Sequence, residues 1–446
     1  MIQAPIVIKI KKICKRSVIY ELDVPKALQK YFSKSTFSLV FEGNVNFEVS
    51  HNYSMLYVPA VALVFPLALM TSTPIIVKSI DHEFYMSLGE LTKILNYMYR
   101  NLPSKFFLLS QITKNTRLIT GKSLLFYSGG LDSTLLLYNH CQEKPYLVTV
   151  QGSDIPSRYL PIWHETMKLA IKVYKKQMSA GNIFIYFKNP LESIILSKDF
   201  HNVLHGNDWW GGIQAGVTLP TLVAPIIESI NISKVYIASD IQSSLTFPWS
   251  DRREVYEAIK FGGTRVICDD YNLSRLDKAR KLKEIWSLGT YPELPIRSCL
   301  RTSIIRKGNL NCGRCEKCIR TSLQLMIAGI NPERVGFKSG PALHILTEFI
   351  GQVLAKGGFE GLEKLFWQEI IRELEKSATP FLQSLTKILS KLLETDTKMI
   401  KSNRVKTSNT SHLNSLYHLY CQIPLHVRDY LPAQFSKVVK LLSRFG

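Results

Sequence analysis

Between residues 121 and 330 the chain alternates two hydrophobic patterns. Short, nearly unbroken apolar runs fall at Leu124–Tyr127, Pro145–Val150, Ile183–Phe187, Lys234–Ala238 and Thr264–Cys268. They have the length and the β-branched or aromatic content of strands buried on both faces. Between them lie longer stretches with apolar residues at helical spacing: the residues after Asp132, about Ser157 to Met178, Thr218 to Ile230, and a segment opening near Ser274. Strands alternating with helices at this spacing predict an α/β domain on a doubly wound parallel sheet. Ligands of such sheets bind at the carboxyl ends of the strands. The turn after Tyr127, the segment Gln151–Asp154 and Ser239–Asp240 therefore share one rim.

The flanks read differently. Residues 1–120 predict a separate N-terminal α+β domain. It has a strand Ile6–Ile10, a hairpin of Phe37–Phe41 and Val45–Val49 around Glu42-Gly43-Asn44, a helix from about Ser54 to Met70, a strand Pro74–Lys78 and a helix Leu88–Met98. No constellation there suggests chemistry, and gating, scaffold or homodimer contacts are its candidate roles. The most apolar run, Ala60–Met70, is interrupted by Pro66 and is too short for a bilayer span, so a buried helix and no membrane partner are expected. Residues 331–446 predict a helical C-terminal extension over Ala342–Gly357, Leu362–Lys376 and Phe381–Leu393, with Phe366 and Trp367 as core and a polar linker at Asp396–Asn414.

Hydrophobic content of 46% is ample for a folded core. The net charge of +21 sits mostly in the flanks, +8 in residues 1–122 and +8 in residues 376–446. It suits a tRNA or acidic protein partner, or simply a solvated surface. There is no pattern of a leader segment. Of eight cysteines, four cluster at Cys299, Cys312, Cys315 and Cys318, a usage expected of a reducing cytoplasm with one metal site.

The chemistry concentrates in Ser128-Gly129-Gly130-Leu131-Asp132-Ser133, a tight polar turn between a buried strand and a helix. Two glycines let backbone N–H groups approach a ligand closely. The helix start favours an anion. Asp132 can hold a Mg2+ bridging phosphate oxygens, and Ser128 and Ser133 can donate hydroxyls to them. Gly121-Lys122-Ser123 is a decoy for a kinase-type phosphate loop, because Thr116 replaces the first glycine and the tripeptide precedes the strand.

Cys312-Gly313-Arg314-Cys315-Glu316-Lys317-Cys318 contains two overlapping C-x-x-C units, with Cys299 upstream. Four thiolates suit a closed tetrahedral Zn2+ site, structural because no ligand position is left for substrate. It would pin the Cys299–Leu310 excursion against the helix near Cys318. An iron–sulfur cluster or a sulfur-carrying pair are the other readings of this pattern. His201, His205, Asn207, Asp208, Trp209 and Trp210 match no metal motif, and the tryptophans serve either a stacking loop or a core plug. Asp269-Asp270 reads as a turn before a helix cap, or as a cation site.

Ser128–Ser133 resembles the PP-loop of the N-type ATP pyrophosphatases, which include GMP and NAD synthetases and tRNA thiolases. The resemblance implies an adenine-nucleotide alpha-hydrolase-like sheet and ATP cleavage between the α and β phosphates, with AMP left on a carboxylate or carbonyl oxygen of a small molecule until a nucleophile displaces it. It places adenine and ribose near Gln151 and Asp154, and makes Arg275 and Lys278 the basic residues that meet pyrophosphate, where the residues alone read equally as a solvated basic face. SGGxDS followed by C…C-G-x-C-x-x-C resembles the 7-cyano-7-deazaguanine synthase branch over residues 121 to about 330. That branch converts a deazaguanine carboxylate to an amide and then a nitrile. Both flanking extensions and the long Cys299–Cys312 gap depart from it. Larger synthase-like proteins of this kind occur in bacterial defence cassettes. The readings carried forward are an AMP-forming C–N ligase-type enzyme using ATP, Mg2+ and Zn2+, a tRNA-modifying protein, and a nucleotide-binding subunit without turnover.

Overall fold

The computed structural model describes residues 4–100, 102–103, 105–115, 121–153, 155, 157, 159–187, 200, 203–204, 208–239, 241–242, 247–305 and 307–337. In the C-terminal part it describes 349, 353, 359, 361–376, 386 and 389–390. The chain divides into two compact units, Met1–Arg297 with Thr302–Leu310, and Ser298–Arg301 with Asn311–Gly446.

The first unit is a mixed α/β structure around an 11-stranded sheet of order β10-β11-β9-β6-β7-β8-β3-β2-β1-β4-β5. Its strands are β1 (Ile6–Cys14), β2 (Ser17–Asp23), β3 (Thr36–Gly43), β4 (Ile75–Asp81), β5 (Leu108–Thr113), β6 (Lys122–Phe126), β7 (Tyr146–Val150), β8 (Gly181–Phe187), β9 (Ile232–Tyr236), β10 (Lys260–Phe261) and β11 (Thr264–Ile267). From β11 to β8 the neighbours run parallel, as in a doubly wound α/β fold. The five predicted strands are all present here, and their carboxyl ends gather on one rim. The long helices are α1 (Tyr53–Met70), α2 (His82–Met98), α3 (Leu131–His140), α4 (Leu160–Lys175) and α5 (Arg275–Ser287), with short helical turns at Ala215–Thr218 and Arg253–Glu257.

The N-terminal residues are not set apart from this sheet. β3 pairs antiparallel with β8, Leu39 opposite Phe187 through Gly43 opposite Ile183, so residues 4–113 extend the same sheet. The expected hairpin at Glu42-Gly43-Asn44 is therefore absent. β3 already has β2 on one edge and β8 on the other, and Val45, Phe47 and Val49 turn into the core without forming a strand. Gly43 is glycine because β8 comes close: a Cβ there would lie 2.0 Å from the Asn182 carbonyl oxygen.

α1 is apolar around its whole circumference, and every residue from Ser54 to Leu69 is buried. It is long and apolar enough to cross a membrane, yet 89% of it is enclosed by the fold, which makes it a core helix. Asn52 caps it, its side chain accepting from Ser54 N–H. Pro66 leaves the Ala62 carbonyl without its helical partner, and the Thr218 hydroxyl donates to that carbonyl at 3.4 Å. The predicted helix over Thr218–Ile230 is a 3-10 helix, Leu219–Ile226, preceded by a π-turn at Trp210–Gln214.

The second unit holds α6 (Glu316–Ile327) and α7 (Gly361–Glu375). Ile319 and Leu323 pack with Phe349, Phe359, Trp367 and Ile370 in a core of their own. Trp367 is fully buried and stacks on Phe359, as expected of a core residue. The predicted segments 342–357, 381–393 and 396–414 lie wholly or mostly outside the described residues.

Candidate active site

Two connections diverge at β6. β6 leads to β7 on one side, while β9, on its other side, leads to β11. Neighbouring loops part company at such a switch point and leave a crevice beyond the strand ends. The glycine turn sits there. Gly129 has φ +73°, in the left-handed region, and Gly130 is the N-cap of α3 with no side-chain capping bond. A Cβ on Gly129 would lie 2.6 Å from Leu169 Cδ2, the movable end of a side chain, so it is chiefly the left-handed backbone that reserves the position for glycine. Within the turn Gly130 N–H donates to Ser128 Oγ at 3.2 Å, and Ser133 Oγ donates to the Gly130 carbonyl at 3.2 Å. The two hydroxyls of Ser128 and Ser133 are 3.2 Å apart. Leu131 is buried in the core and contributes its helix-start backbone.

Asp132, in the first turn of α3, meets two cations from α5. Arg275 Nη1 pairs with its Oδ2, and Lys278 Nζ lies 3.1 Å from its Oδ1. Lys278 Nζ also donates to the Ser239 carbonyl beyond β9. Arg275 is 4% exposed and Lys278 is 2% exposed, which corrects the alternative that they form a solvated face. α5 brings them here because Ser274 caps it, accepting from Asp277 N–H at 3.1 Å, and because its apolar side packs on α3. Buried cations are tolerated only with close partners, so this triad depends on its own contacts. Three of the sequence-predicted residues, Asp132, Arg275 and Lys278, are thus joined although 143 and 146 positions separate the aspartate from the cations.

Other candidates lie elsewhere or are engaged. Gln151, at the end of β7, is buried, and its carboxamide donates to the Ser157 carbonyl at 3.2 Å. Asp154, Asp240, His201, His205 and Asn207 lie outside the described residues. Trp209 is a core plug whose Nε1–H donates to Gln214 Oε1 at 2.8 Å. Asp269 bonds His140 Nε2 at 2.7 Å, while Asp270, with φ +59°, accepts from Asn139. Burial raises the carboxyl pKa of Asp270.

Arg297 escaped the sequence reading. Its Nε–H donates to the Ser128 carbonyl at 2.8 Å, and its backbone N–H donates to the Gly129 carbonyl at 2.7 Å. Nothing in its neighbourhood in the sequence marks it, since both bonds go to main chain far away.

The second unit carries the four cysteines. The Sγ atoms of Cys299, Cys312, Cys315 and Cys318 all lie within 4.8 Å of one another. Cys312–Cys318 and Cys299–Cys315 are each 3.9 Å apart. Tetrahedral thiolates 2.3 Å from zinc would be about 3.8 Å apart, so this set can hold one such ion. Gly313, φ +71°, makes the turn in which the N–H groups of Arg314 and Cys315 point at Cys312 Sγ, at 3.4 and 3.3 Å. Asn311 Oδ1 receives the N–H groups of Ser298 and Cys299 at 2.7 and 3.2 Å, which holds the first cysteine against the other three. Hydrogen bonding from Cys299 draws Cys315 down and Cys312 down to about 6, whereas Cys299 and Cys318 are pushed up.

A doubly wound sheet with a Ser-Gly-Gly turn at its switch point, beside an aspartate paired with two buried cations, defines a protein of the doubly wound α/β class with a polar crevice at its strand ends. No family model and no solved structure matches this chain. Among curated proteins, 7-cyano-7-deazaguanine synthase of Pyrococcus horikoshii is 22% identical over 248 residues, spanning 50% of this chain and 99% of that enzyme. The likeness is a distant one and spans half of this chain.

Proposed function

We propose that this chain is an ATP-dependent, AMP-forming enzyme that adenylates a carboxylate or carbonyl oxygen of a deazaguanine-like small molecule. The observation that carries the reading is the convergence of Asp132, Arg275 and Lys278 on the glycine turn at the sheet's switch point. The distant synthase relative supports ATP-dependent chemistry at a coarse level.

In this reading the triphosphate lies against the Ser128–Ser133 turn. The Gly129 N–H and the start of α3 face its oxygens, and Ser128 and Ser133 donate hydroxyls. A substrate oxygen attacks the α phosphorus, and the bond to the bridging oxygen breaks and releases pyrophosphate. Lys278 and Arg275 offset the charge that develops on the leaving group. An amine or ammonia nitrogen then attacks the activated carbon, and AMP departs with the oxygen. The protein's part is mostly positioning and charge neutralisation. Both carboxylate oxygens of Asp132 are held by Arg275 and Lys278, so Asp132 would hold a Mg2+ only if one of these cations moved off it to the phosphates, where the ion would neutralise charge when bound. Cys299, Cys312, Cys315 and Cys318 would hold a structural zinc. Convergence of all four thiols weighs against a tRNA thiolase, which needs a reactive sulfur of its own.

The test is ATP turnover with Mg2+, resolving AMP and pyrophosphate from ADP and phosphate, with and without 7-carboxy-7-deazaguanine plus ammonium. Carboxylate-dependent AMP and pyrophosphate are expected. ADP and phosphate would overturn the reading. Metal analysis should find zinc in the purified chain and lose it in Cys315→Ser.

A further inference from the structure

Arg297 makes two bonds to the glycine turn and has no part in the reading above. Its backbone N–H holds the Gly129 carbonyl and its Nε–H holds the Ser128 carbonyl. A trans peptide is planar, with its C=O and the following N–H pointing in opposite directions. Holding the Ser128 carbonyl on the Arg297 side therefore turns the Gly129 N–H to the other side. Holding the Gly129 carbonyl does the same for the Gly130 N–H, which meets Ser128 Oγ at 3.2 Å. Among the described residues the Gly129 N–H makes no hydrogen bond. A Ser-Gly peptide plane is otherwise easily rotated, because glycine accepts either sign of φ. Arg297 is 7% exposed, so its guanidinium is a built part of the turn and not a passing surface contact.

We propose that Arg297 is a positioning residue that locks the Ser128–Gly129 peptide plane and so aims the Gly129 N–H at the phosphate entering the turn. This rests on the reading that the turn receives ATP. Arg297 acts through the main chain and needs no contact with the nucleotide. Its side-chain bond can be removed while the main-chain bond to Gly129 stays, which isolates a single peptide plane.

The experiment compares wild type, Arg297→Ala and Arg297→Lys for binding of α,β-methylene-ATP and for AMP formation, with circular dichroism to confirm folding. Arg297→Ala should bind the analogue about tenfold more weakly and lose about 10²-fold in kcat, the scale of a misplaced donor in an oxyanion-type site. Added ethylguanidine should restore part of both, which a merely structural role would not show. Arg297→Lys keeps the charge but loses the planar Nε–H, and should fold while staying below wild type in both measures. Should Arg297→Ala fail to fold, Arg297→Lys carries the test alone. Wild-type binding and kcat in either folded variant would overturn the inference. If wild type binds the analogue but forms no AMP, the adenylating reading fails, and the binding difference still decides the role of Arg297. If wild type binds no adenine nucleotide, both fall.

Discussion

The two halves of the central sheet share one core but not one architecture. From β11 to β8 the strands run parallel, every carboxyl end faces the same rim, and the glycine turn, Gln151 and Ser239 line up there. From β8 to β1 they run antiparallel, so successive strand ends alternate between rims. That half contributes α1, a helix buried throughout, and no cluster of chemistry among the described residues. Parallel order concentrates groups that can act together, whereas antiparallel order spreads them and leaves mass and packing as its contribution. Substitutions in the two halves should therefore fail in different ways.

The largest effect is expected at Asp132. Asp132→Asn should lower AMP formation by at least about 10²-fold, since it removes the only charge between Arg275 and Lys278 that comes from the turn. Single-turnover assays read this directly, and a variant within a few-fold of wild type would remove the triad from the mechanism. In the other half, Leu63→Ala should destabilise by about 2–5 kcal/mol, because the side chain is 1% exposed and leaves a cavity. Denaturant unfolding measures it. The folded fraction should keep its affinity for α,β-methylene-ATP, and a parallel loss of affinity would show that the halves are not separable.

A smaller effect belongs to Gly129→Ala, which forces a side chain into left-handed backbone at about 1–2 kcal/mol. Nucleotide affinity should drop about tenfold. Gly129→Ala combined with Leu169→Ala removes the clash at 2.6 Å but not the backbone strain, so only part of the affinity should return. Full return would assign the whole effect to packing. The smallest effect is at Asp270. Burial raises its folded carboxyl pKa, so the protonated form is favoured by folding below the unfolded value, and that contribution disappears as pH rises through the raised folded value. At neutral pH the ionised carboxylate is a mild liability. Asp270→Asn should gain about 0.3 kcal/mol at pH 8, a small figure because the site is partly open to water, and less at pH 4. Thermal melts at the two pH values would show the crossover, and an equal gain at both would credit the backbone at φ +59° alone.

The parallel half was legible because its signals are local. Four apolar residues, two glycines and an aspartate spell strand, turn and helix within fourteen positions, and the overlapping C-x-x-C units spell their own geometry. The antiparallel half was not. Gly43 looks like a hairpin glycine, but its reason is the approach of Asn182, which no nearby residue announces. β5 was missed because Leu109 and Ile112 are exposed on an edge strand, whereas β2 was overlooked although Val18, Tyr20 and Leu22 alternate inward along it. Arg297 was invisible for a related reason, since a side chain that serves a distant carbonyl leaves no mark on spacing. Arg275 and Lys278 were ambiguous until α5 was seen to bury them, because a basic stretch reads alike whether solvated or enclosed.

The β3–β8 pairing has a consequence for how the chain comes into being. Leu39 cannot find Phe187 until roughly 150 further residues have been made, and at 5–20 residues per second that is on the order of ten seconds or more. Throughout that interval β3 has an open edge, and α1, apolar on every side, has been synthesised before the strands and turns that enclose it. A nascent chain in that condition is a natural client for a holdase on the ribosome. Pulse-labelled chains released at residue 150 should aggregate, whereas those released well after residue 267, with β11 made, should be able to complete the sheet.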